Sequence, residues 1–404
     1  MSGGGNMPTN FPKNFLWGAA TSAHQVEGGN HNDWSEWELK NADRLAREAG
    51  KQYAALPTWS LIKDQATDSQ NYISGRACDH YHHFREDFDI AKSLGHNAHR
   101  FSIEWSRIEP EEGKFNDAEI EHYREVIKAL RERGMEPFVT LWHLTLPLWF
   151  RDKGGWVSPD AATYFGRYAK RMAEELKEVT FWITLNETNV YTGHGYWRGI
   201  WPPGKRSLWD YCIANHRLSQ AHRKAYRAIH DTNPKAYVGV AHAMIYFTHF
   251  FAVLKNFFWN RLFLHSIKTY LDFIGINYYV SDRPRSEHSD MGWGIDPEGL
   301  YDVLKQAARF GKPIFITENG LADVRDSQRG ACIREHLDWM QKAMNEGAPV
   351  RGYFYWSLLD NFEWDKGFWP RFGLVEVDYT TRERKIRPSA YEYKKIIERG
   401  MIEL

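Results

Sequence analysis

Short apolar segments alternate with longer amphipathic segments along the whole chain. Each short apolar segment is rich in β-branched and aromatic residues and is bounded by Gly, Pro or Asn, which predicts a strand. The intervening stretches are helical in pattern: Ile120, Tyr123, Ile127 and Leu130 recur every three or four residues. Strands that alternate with helices pair in parallel through right-handed crossovers, so eight units predict a closed (β/α)8 barrel of the TIM type. The predicted strands begin at Phe15, Asn97, Glu136, Phe181, Tyr237, Phe273, Pro313 and Arg351.

No linker, low-complexity tract or charge run divides the 404 residues. An α/β barrel of this length is commonly one domain. We therefore predict a flexible leader over residues 1–10 and a single catalytic domain over residues 11–404. No stretch reaches the roughly 18 apolar residues that a membrane-spanning helix needs, so no membrane span is predicted.

Charge and cysteine content restrict the partners and the compartment. The chain has 52 Lys and Arg against 52 Asp and Glu, and this balance argues against nucleic acid and membrane surfaces as partners. Cys78, Cys212 and Cys332 cannot form a closed disulfide framework, and we expect buried, reduced thiols. The leader lacks the basic and apolar regions of a signal peptide. We expect a cytoplasmic protein, and leave a homo-oligomer open.

Polar residues mark the carboxyl ends of the predicted strands, where barrel enzymes hold their chemistry. Glu187 and Glu318 end the fourth and seventh strands and would face each other across the barrel mouth. They are either a salt-bridged core pair with Arg100 or the two carboxyl groups of a glycosidase. The other polar or aromatic residues at strand ends are His143, Asn186, Asn277, Tyr279, Asn319 and Trp356, followed by a loop with Glu363 and Trp364.

Seven sequence blocks, in order, resemble glycoside hydrolase family 1, the β-glucosidase family. The resemblance runs from about Phe11 to the last helix, and the catalytic words are TLNE (184–187) and ITENG (316–320). The remaining blocks are FLWGAATSAHQVEG, HRFSIEWSRIEP, TLWHLTLPLW, FIGINYY and YWSLLDNFEW. The family implies a retaining exo-β-glycosidase that acts on terminal β-linked glucose, galactose or fucose in small glycosides and oligosaccharides, without a cofactor or a metal.

The resemblance also implies roles for residues. Glu187 matches the general acid/base and Glu318 the nucleophile, with Arg100 and Tyr279 beside the nucleophile. We expect the charge of Glu318 to raise the pKa of Glu187 and to let it hold a proton near neutral pH. The NFEWDKGFW loop favours an unphosphorylated glycone. The predicted substrate-binding residues are Gln25, His143, Asn186, Asn277, Tyr279, Trp356, Glu363, Trp364 and Phe372.

The chain departs from the family pattern in several places. Thr188 stands where a proline is usual, and Leu144 where an aromatic residue is common. The stretches 244–272 and 280–293 are short, which predicts an open cleft with weak aglycone contacts on that side. The aromatic segment 248–265 is expected to be a helix packed on the barrel. An exposed patch for an aglycone, a second subunit or an apolar ligand is the alternative.

Two rival functions remain at this stage. A non-hydrolytic sugar-binding barrel would have no need of two opposed carboxylates, and a transglycosylase would use an open acceptor side. His80, His82 and His83 fit no standard metal spacing and are expected to be surface or cap residues. No Gly-rich loop follows a strand, so no nucleotide cofactor is expected.

Overall fold

The structure is a computed structural model that describes residues 10–402. Its centre is a closed barrel of parallel strands in the order of the sequence, with β1 hydrogen-bonded to both β2 and β8. The predicted (β/α)8 barrel is therefore confirmed. The barrel strands are β1 (Leu16–Ala20), β2 (Ala98–Ser102), β3 (Glu136–Trp142), β4 (Phe181–Asn186), β5 (Tyr237–Ala243), β6 (Phe273–Asn277), β7 (Ile314–Asn319) and β8 (Val350–Trp356).

Helices follow the strands and form the outer layer, together with shorter segments in the long connections. They are α1 (Ala23–Val26), α2 (Asp33–Tyr53), α3 (Trp59–Ala66), α4 (His80–Ser93), α5 (Trp105–Ile108), α6 (Asp117–Glu132), α7 (Leu148–Asp152), α8 (Ala161–Glu175), α9 (Thr188–Thr192), α10 (Leu208–Thr232), α11 (Ala252–Lys255), α12 (Leu262–Ile267), α13 (Pro297–Ala308), α14 (Arg329–Asn345) and α15 (Pro388–Arg399).

Shorter elements complete the chain. After β8, an antiparallel pair, β9 (Val375–Val377) and β10 (Arg384–Ile386), precedes the last helix. Single 3-10 turns lie at Ser69–Tyr72, Gly155–Val157, Lys268–Tyr270 and Trp364–Lys366. Two π-helical turns, Gly193–Arg198 and Asn256–Arg261, lie in the connections after β4 and β5. The predicted leader, residues 1–10, lies outside the described residues except for Asn10.

Helix α6 shows how local sequence sets an element. The side chain of Asn116 accepts hydrogen bonds from the backbone N–H groups of Ala118 and Glu119 and so caps the first turn. The predicted stripe from Ile120 to Leu130 is buried against the barrel. Gly134, with a φ of 66°, follows the last turn in the left-handed conformation that glycine adopts without strain.

Phenylalanine side chains fill the barrel interior below the mouth. Phe138 is in contact with the rings of Phe315 and Phe354, at centroid distances of 5.1 and 4.7 Å, and stacks on Phe181 at 4.3 Å. Phe138, Phe181, Phe315 and also Phe273 lie within the first three residues of their strands. The lower barrel is therefore a packed apolar plug, and polar chemistry is confined to the opposite end.

Three expectations need correction. In the aromatic segment 248–265, Phe263 and Leu264 are buried, but the apolar side chains from Phe250 to Leu262 are largely exposed because the helix turns them away from the barrel. Cys212 is exposed on α10, whereas the other two cysteines are buried; all three are free thiols. His80 is buried because its ring is paired with the carboxylate of Asp87 at 2.7 Å.

Candidate active site

The two predicted carboxyl groups meet at one cavity in the barrel mouth. Glu318 lies within β7, and Glu187 is the residue that follows β4. The side-chain amide of Asn277, at the end of β6, donates to Glu187 Oε1 at 2.9 Å. β4 and β7, which are far apart in sequence, thus bring both carboxyl groups to one cavity.

Both carboxylate oxygens of Glu318 accept hydrogen bonds. Arg100 donates to Oε1 at 2.6 Å, and the Tyr279 hydroxyl donates to Oε2 at 2.6 Å. Burial raises the pKa of Glu318, while the charge of Arg100 and these hydrogen bonds oppose the rise. These two charge-assisted hydrogen bonds, one of them an ion pair, stabilise the anionic form of Glu318 more than that of Glu187. They also fix the orientation of the Glu318 carboxylate.

Glu187 lies in a different environment. Burial, and then the charge of Glu318, raise its pKa to about 8, with the hydrogen bond from Asn277 and the charge of Arg100 acting in the opposite direction. We expected the charge of Glu318 to be the cause, but burial is the larger one. A carboxyl group with this pKa carries a proton at neutral pH. The pair therefore contains one proton donor and one oriented carboxylate.

The backbone at the mouth is strained at three residues. Leu144, Glu187 and Trp364 have φ values of 75°, 46° and 47°, a region that non-glycine residues seldom adopt. The three residues lie in the connections after β3, β4 and β8. Such strain persists only where the surrounding contacts impose it. Thr188 is the first residue of α9, a position where proline fits as well. The departure at Thr188 therefore leaves the start of this helix intact.

Close packing holds the loop after Glu318 in place. A Cβ atom at Gly320 would lie 1.8 Å from the backbone oxygen of Trp356, so only glycine fits between β7 and the end of β8. This contact places Trp356 under the mouth beside Glu318.

The cavity has a volume of about 420 Å³. Most of the predicted substrate-binding residues line it, whereas Arg100 and Asn186 lie behind the lining. Asn186 is buried, and its side-chain oxygen accepts from Arg100 at 2.6 Å while its nitrogen lies 3.3 Å from His143 Nε2. The predicted residues on the wall are Gln25, His143, Glu187, Asn277, Tyr279, Glu318, Trp356, Glu363, Trp364 and Phe372.

His143 stacks between two tryptophan rings, with its centroid 6.1 Å from Trp356 and 6.1 Å from Trp364. Burial and the charge of Arg100 hold its pKa well below the usual range, so the ring is neutral. Its Nδ1 atom is buried and has no hydrogen-bond partner among the described residues. A neutral imidazole on the cavity wall is suited to a hydrogen bond with a sugar hydroxyl.

Glu363 and Gln25 lie side by side. The Gln25 amide nitrogen donates to the backbone oxygen of Phe362 at 2.7 Å and lies 3.5 Å from Glu363 Oε2. Burial and the charges of Glu318 and Glu187 raise the pKa of Glu363 to about 8. Its carboxyl group has two oxygens for adjacent hydroxyl groups.

Several lining residues were missed by sequence reasoning. Met244, Ile245 and Trp259 line the cavity from the connection after β5, and Met291 and Trp293 line it from the connection after β6. The side that we expected to be open therefore carries apolar side chains on the cavity wall, and weak aglycone contacts there stay a prediction. The density of aromatic residues around Trp259 was the available signal.

Trp364 is itself supported from outside the cavity. Its ring lies 4.7 Å from Trp34 and 6.0 Å from Trp201, and it stacks on His24 at 5.7 Å. His24 belongs to the block FLWGAATSAHQVEG, whereas Trp34 and Trp201 lie outside the quoted blocks and carried no signal there.

Residues 10–402 show neither a metal site nor a membrane-spanning helix. In that range no cluster of three or more His, Cys, Asp and Glu side chains is arranged to hold a metal ion. His82 and His83 lie beside carboxylates, with His82 Nδ1 2.7 Å from Asp79 and His83 Nδ1 3.0 Å from Glu86. Over the same residues, no helix has the length and apolar character needed to cross a membrane.

Known proteins resemble this chain over nearly its full length. Beta-glucosidase A of Thermotoga maritima is 32% identical over 459 residues, covering 97% of this chain and 99% of that protein. The alignment is longer than the 404 residues here, so this relative has segments that this chain lacks. Beta-glucosidase A of Acetivibrio thermocellus is 34% identical and covers 96% and 98%.

A solved structure of a beta-glycosidase from Pyrococcus horikoshii matches with a TM-score of 0.88 and 37% identity, covering 98% of this chain and 97% of that one. The sequence model described as glycosyl hydrolase family 1 matches residues 7–249 and 281–401. The barrel, the paired carboxyl groups in its mouth and these similarities agree: the chain belongs to glycosyl hydrolase family 1 and is a glycoside hydrolase.

Proposed function

We propose that the enzyme is a retaining exo-β-glycosidase in which Glu318 is the nucleophile and Glu187 the general acid/base. The observation that carries this assignment is the asymmetry of the pair. Glu318 accepts hydrogen bonds from Arg100 and Tyr279, whereas burial and the charge of Glu318 raise the pKa of Glu187 to about 8. One group is thus suited to attack and the other to protonate.

In the first step a Glu318 oxygen forms a bond to the anomeric carbon, and the glycosidic C–O bond breaks. Its electron pair stays on the leaving oxygen, which takes the proton of Glu187. The product is a glycosyl ester of Glu318, which has no negative charge. Since that charge contributes to the raised pKa of Glu187, the pKa of Glu187 falls in the intermediate.

In the second step the Glu187 carboxylate takes a proton from water. The water oxygen bonds to the anomeric carbon, the ester bond breaks, and Glu318 regains its negative charge. Two displacements retain the β configuration. Arg100 and Tyr279 stabilise the carboxylate at both ends of the cycle, and neither transfers a proton.

The proposed substrates are small glycosides with a terminal β-linked glucose, galactose or fucose. Relatives carry the names beta-glucosidase and, for a protein of Pyrococcus woesei that is 30% identical, beta-galactosidase. His143 and Glu363 supply groups for ring hydroxyls, and Trp364 supplies an apolar face. Lys366 lies 2.7 Å from Asp365 Oδ2. Because that lysine is already paired and the site is rich in carboxyl groups, a phosphorylated glycone is disfavoured.

Covalent trapping tests the assignment. A 2-fluoro β-glucoside should form a stable adduct on the peptide that contains Glu318, detected by mass spectrometry after proteolysis. The Glu318→Gly variant should lose hydrolysis and regain turnover with azide, giving an α-glycosyl azide. Glu363→Gly is the matched control, since azide should not rescue it. An adduct elsewhere would refute the assignment of the nucleophile.

The acid/base assignment needs a separate test. Glu187→Ala should hydrolyse substrates with good leaving groups far better than alkyl glycosides, because only the latter need a proton. Equal losses for both substrate classes would exclude Glu187 as the acid. If the intact protein bound sugar but neither formed an adduct nor released product, it would be a binding barrel. Product analysis with an added alcohol measures how far transglycosylation competes with hydrolysis.

We also propose a cytoplasmic location. Cys78 and Cys332 are buried free thiols, and a reducing compartment keeps such thiols unmodified. Cell fractionation with an antibody to the chain tests this, and recovery from an extracellular or periplasmic fraction would contradict it. A partner role for nucleic acid remains disfavoured by the balanced charge.

A further inference from the structure

Most of the large apolar side chains that are exposed lie in two connections at one sector of the barrel. Phe250, Val253 and Trp209 are 94%, 80% and 75% exposed. Other exposed residues of this size, such as Leu39 and Tyr391, are scattered elsewhere. We call the clustered set the rim patch, and it consists of Trp197, Leu208, Trp209, Phe250, Phe251, Val253, Leu254, Phe257, Phe258 and Leu262.

The rim patch borders the mouth of the active site. Its residues follow the carboxyl ends of β4 and β5, which is the end where the cavity opens. The two connections are in contact, since the Asn189 amide donates to the backbone oxygen of Ala243 at 2.8 Å and Gly193 lies against the Trp259 ring. Trp259 lines the cavity, while its neighbours Phe257 and Phe258 are exposed outside it.

The same two connections have a charge of one sign. Residues 188–209 and 244–271 contain no Asp or Glu, in a chain whose acidic and basic residues are equal in number. Lys205 and Lys255 approach acidic side chains outside these stretches, Asp210 at 3.0 Å and Asp282 at 3.9 Å. The basic residues of these stretches on the mouth side are Arg198, Lys205, Arg206, Lys255 and Arg261, whereas Lys268 lies in the turn that leads to the amino end of β6.

The larger part of the rim patch lies in a stretch that the family model does not match. The family match stops at residue 249 and resumes at residue 281. The exposed residues 250–262 fall within this gap. The gap also contains β6, so it does not by itself separate the patch from the barrel, but the catalytic assignment uses none of the exposed residues 250–262.

We propose that the rim patch docks on an anionic lipid surface and holds the mouth of the active site towards the headgroups. Exposed aromatic side chains among lysines and arginines, with no acidic residue, are the composition of a segment that lies in a membrane interface. A symmetric contact between two copies would place these cations against the same cations, which is unfavourable. The net charge of zero argued against a membrane surface as a partner. That value is a sum over the whole chain, however, whereas the two stretches beside the mouth are positively charged.

Sedimentation with vesicles tests the docking. The full chain should pellet with vesicles of equal parts phosphatidylcholine and phosphatidylglycerol, much less with phosphatidylcholine alone, and less at high salt. Phe250→Ser combined with Phe258→Ser should weaken partitioning about tenfold or more, from the lost apolar burial. Arg206→Gln with Arg261→Gln should weaken it roughly 25-fold, at about fivefold for each cation.

Leu39→Ser with Leu61→Ser is the matched control, because these residues are 67% and 46% exposed but lie on α2 and α3. Hydrolysis of a soluble aryl β-glycoside and the thermal unfolding temperature should stay unchanged in all these variants, which shows that they fold. This proposal is independent of the catalytic one, since vesicle binding needs no turnover.

Three results would overturn the proposal. The first is that the full chain fails to pellet with anionic vesicles at low salt. The second is an equal loss of binding in the Leu39 and Leu61 control, which would indicate unspecific adsorption. The third is a dimer in sedimentation velocity that Phe250→Ser with Phe258→Ser converts to a monomer while vesicle binding is absent, which would assign the patch to a second copy.

Discussion

Replacing Glu318 by glutamine should lower the pKa of Glu187 without moving its side chain. In the intact enzyme, burial and then the charge of Glu318 raise that pKa to about 8. Glutamine has nearly the same shape and keeps burial unchanged, so the substitution removes only the second cause. The variant thus separates desolvation from charge repulsion at Glu187, the proposed general acid.

The size of the effect follows from Coulomb's law. Retaining glycosidases hold their carboxyl groups roughly 5–5.5 Å apart. At an effective dielectric constant of about 20, a unit charge at that distance contributes roughly 3 kcal/mol, or about two pKa units. We expect the pKa of Glu187 to fall from about 8 to roughly 6, still above the value of a free glutamate because burial remains.

The assay is a pH titration of the Glu187 carboxyl carbon by NMR with ¹³C-labelled glutamate. The Glu187→Gln variant identifies the resonance. In the intact enzyme, kcat/KM should fall as the pH rises through about 8, where Glu187 loses its proton. A pKa in Glu318→Gln that stays within half a unit of the intact value would refute the role of the Glu318 charge. A fall to the value of a free glutamate would refute the role of burial.

Two further outcomes are expected. Tyr279→Phe removes the hydrogen bond to Glu318 Oε2. It should lower kcat/KM about 10- to 100-fold, as expected for a bond to a charged group, and leave the unfolding temperature unchanged. A change in kcat/KM of less than twofold would mean that this hydroxyl does not orient the carboxylate. Burial and nearby charges raise the folded pKa of Glu363 to about 8 from 4.5, so its contribution to stability is present at low pH and is lost as the pH rises from about 4.5 to about 8. Glu363→Gln should therefore gain roughly 3 kcal/mol of stability relative to the intact protein between pH 5 and pH 8 in urea unfolding, while KM rises. Equal stability differences at both pH values would show that the folded pKa of Glu363 is unshifted.

The sequence was sufficient for the barrel because parallel strands leave a direct signal. A parallel strand that is buried on both faces has a nearly continuous run of apolar residues. The predicted start of β3 at Glu136 matches the observed one, and the predicted start of β8 at Arg351 is one residue late. Polar residues that interrupt or end such runs stand out for the same reason. This is how Glu187 and Glu318 could be assigned to one mouth before the structure was considered.

Contacts between distant segments could not be read in the same way. Nothing near Trp364 in sequence predicts that Trp34 and Trp201 support its ring. Asn186 was expected to bind substrate, yet its side chain is engaged by Arg100 and His143; its contact with a sugar stays a prediction. An apolar residue is buried only if another surface packs on it. The sequence of 250–262 does not show whether such a surface exists, and within the described residues these side chains are largely exposed.

The position of Arg100 has a consequence for redesign. From β2 it donates to Thr140 on β3, to Asn186 on β4, and to the Thr317 backbone and Glu318 on β7. The catalytic geometry is therefore tied together between strands, beneath the connections that shape the entrance. Foreign entrance loops could be grafted onto this scaffold to change which glycosides it accepts, and the reacting carboxyl groups would keep their aim.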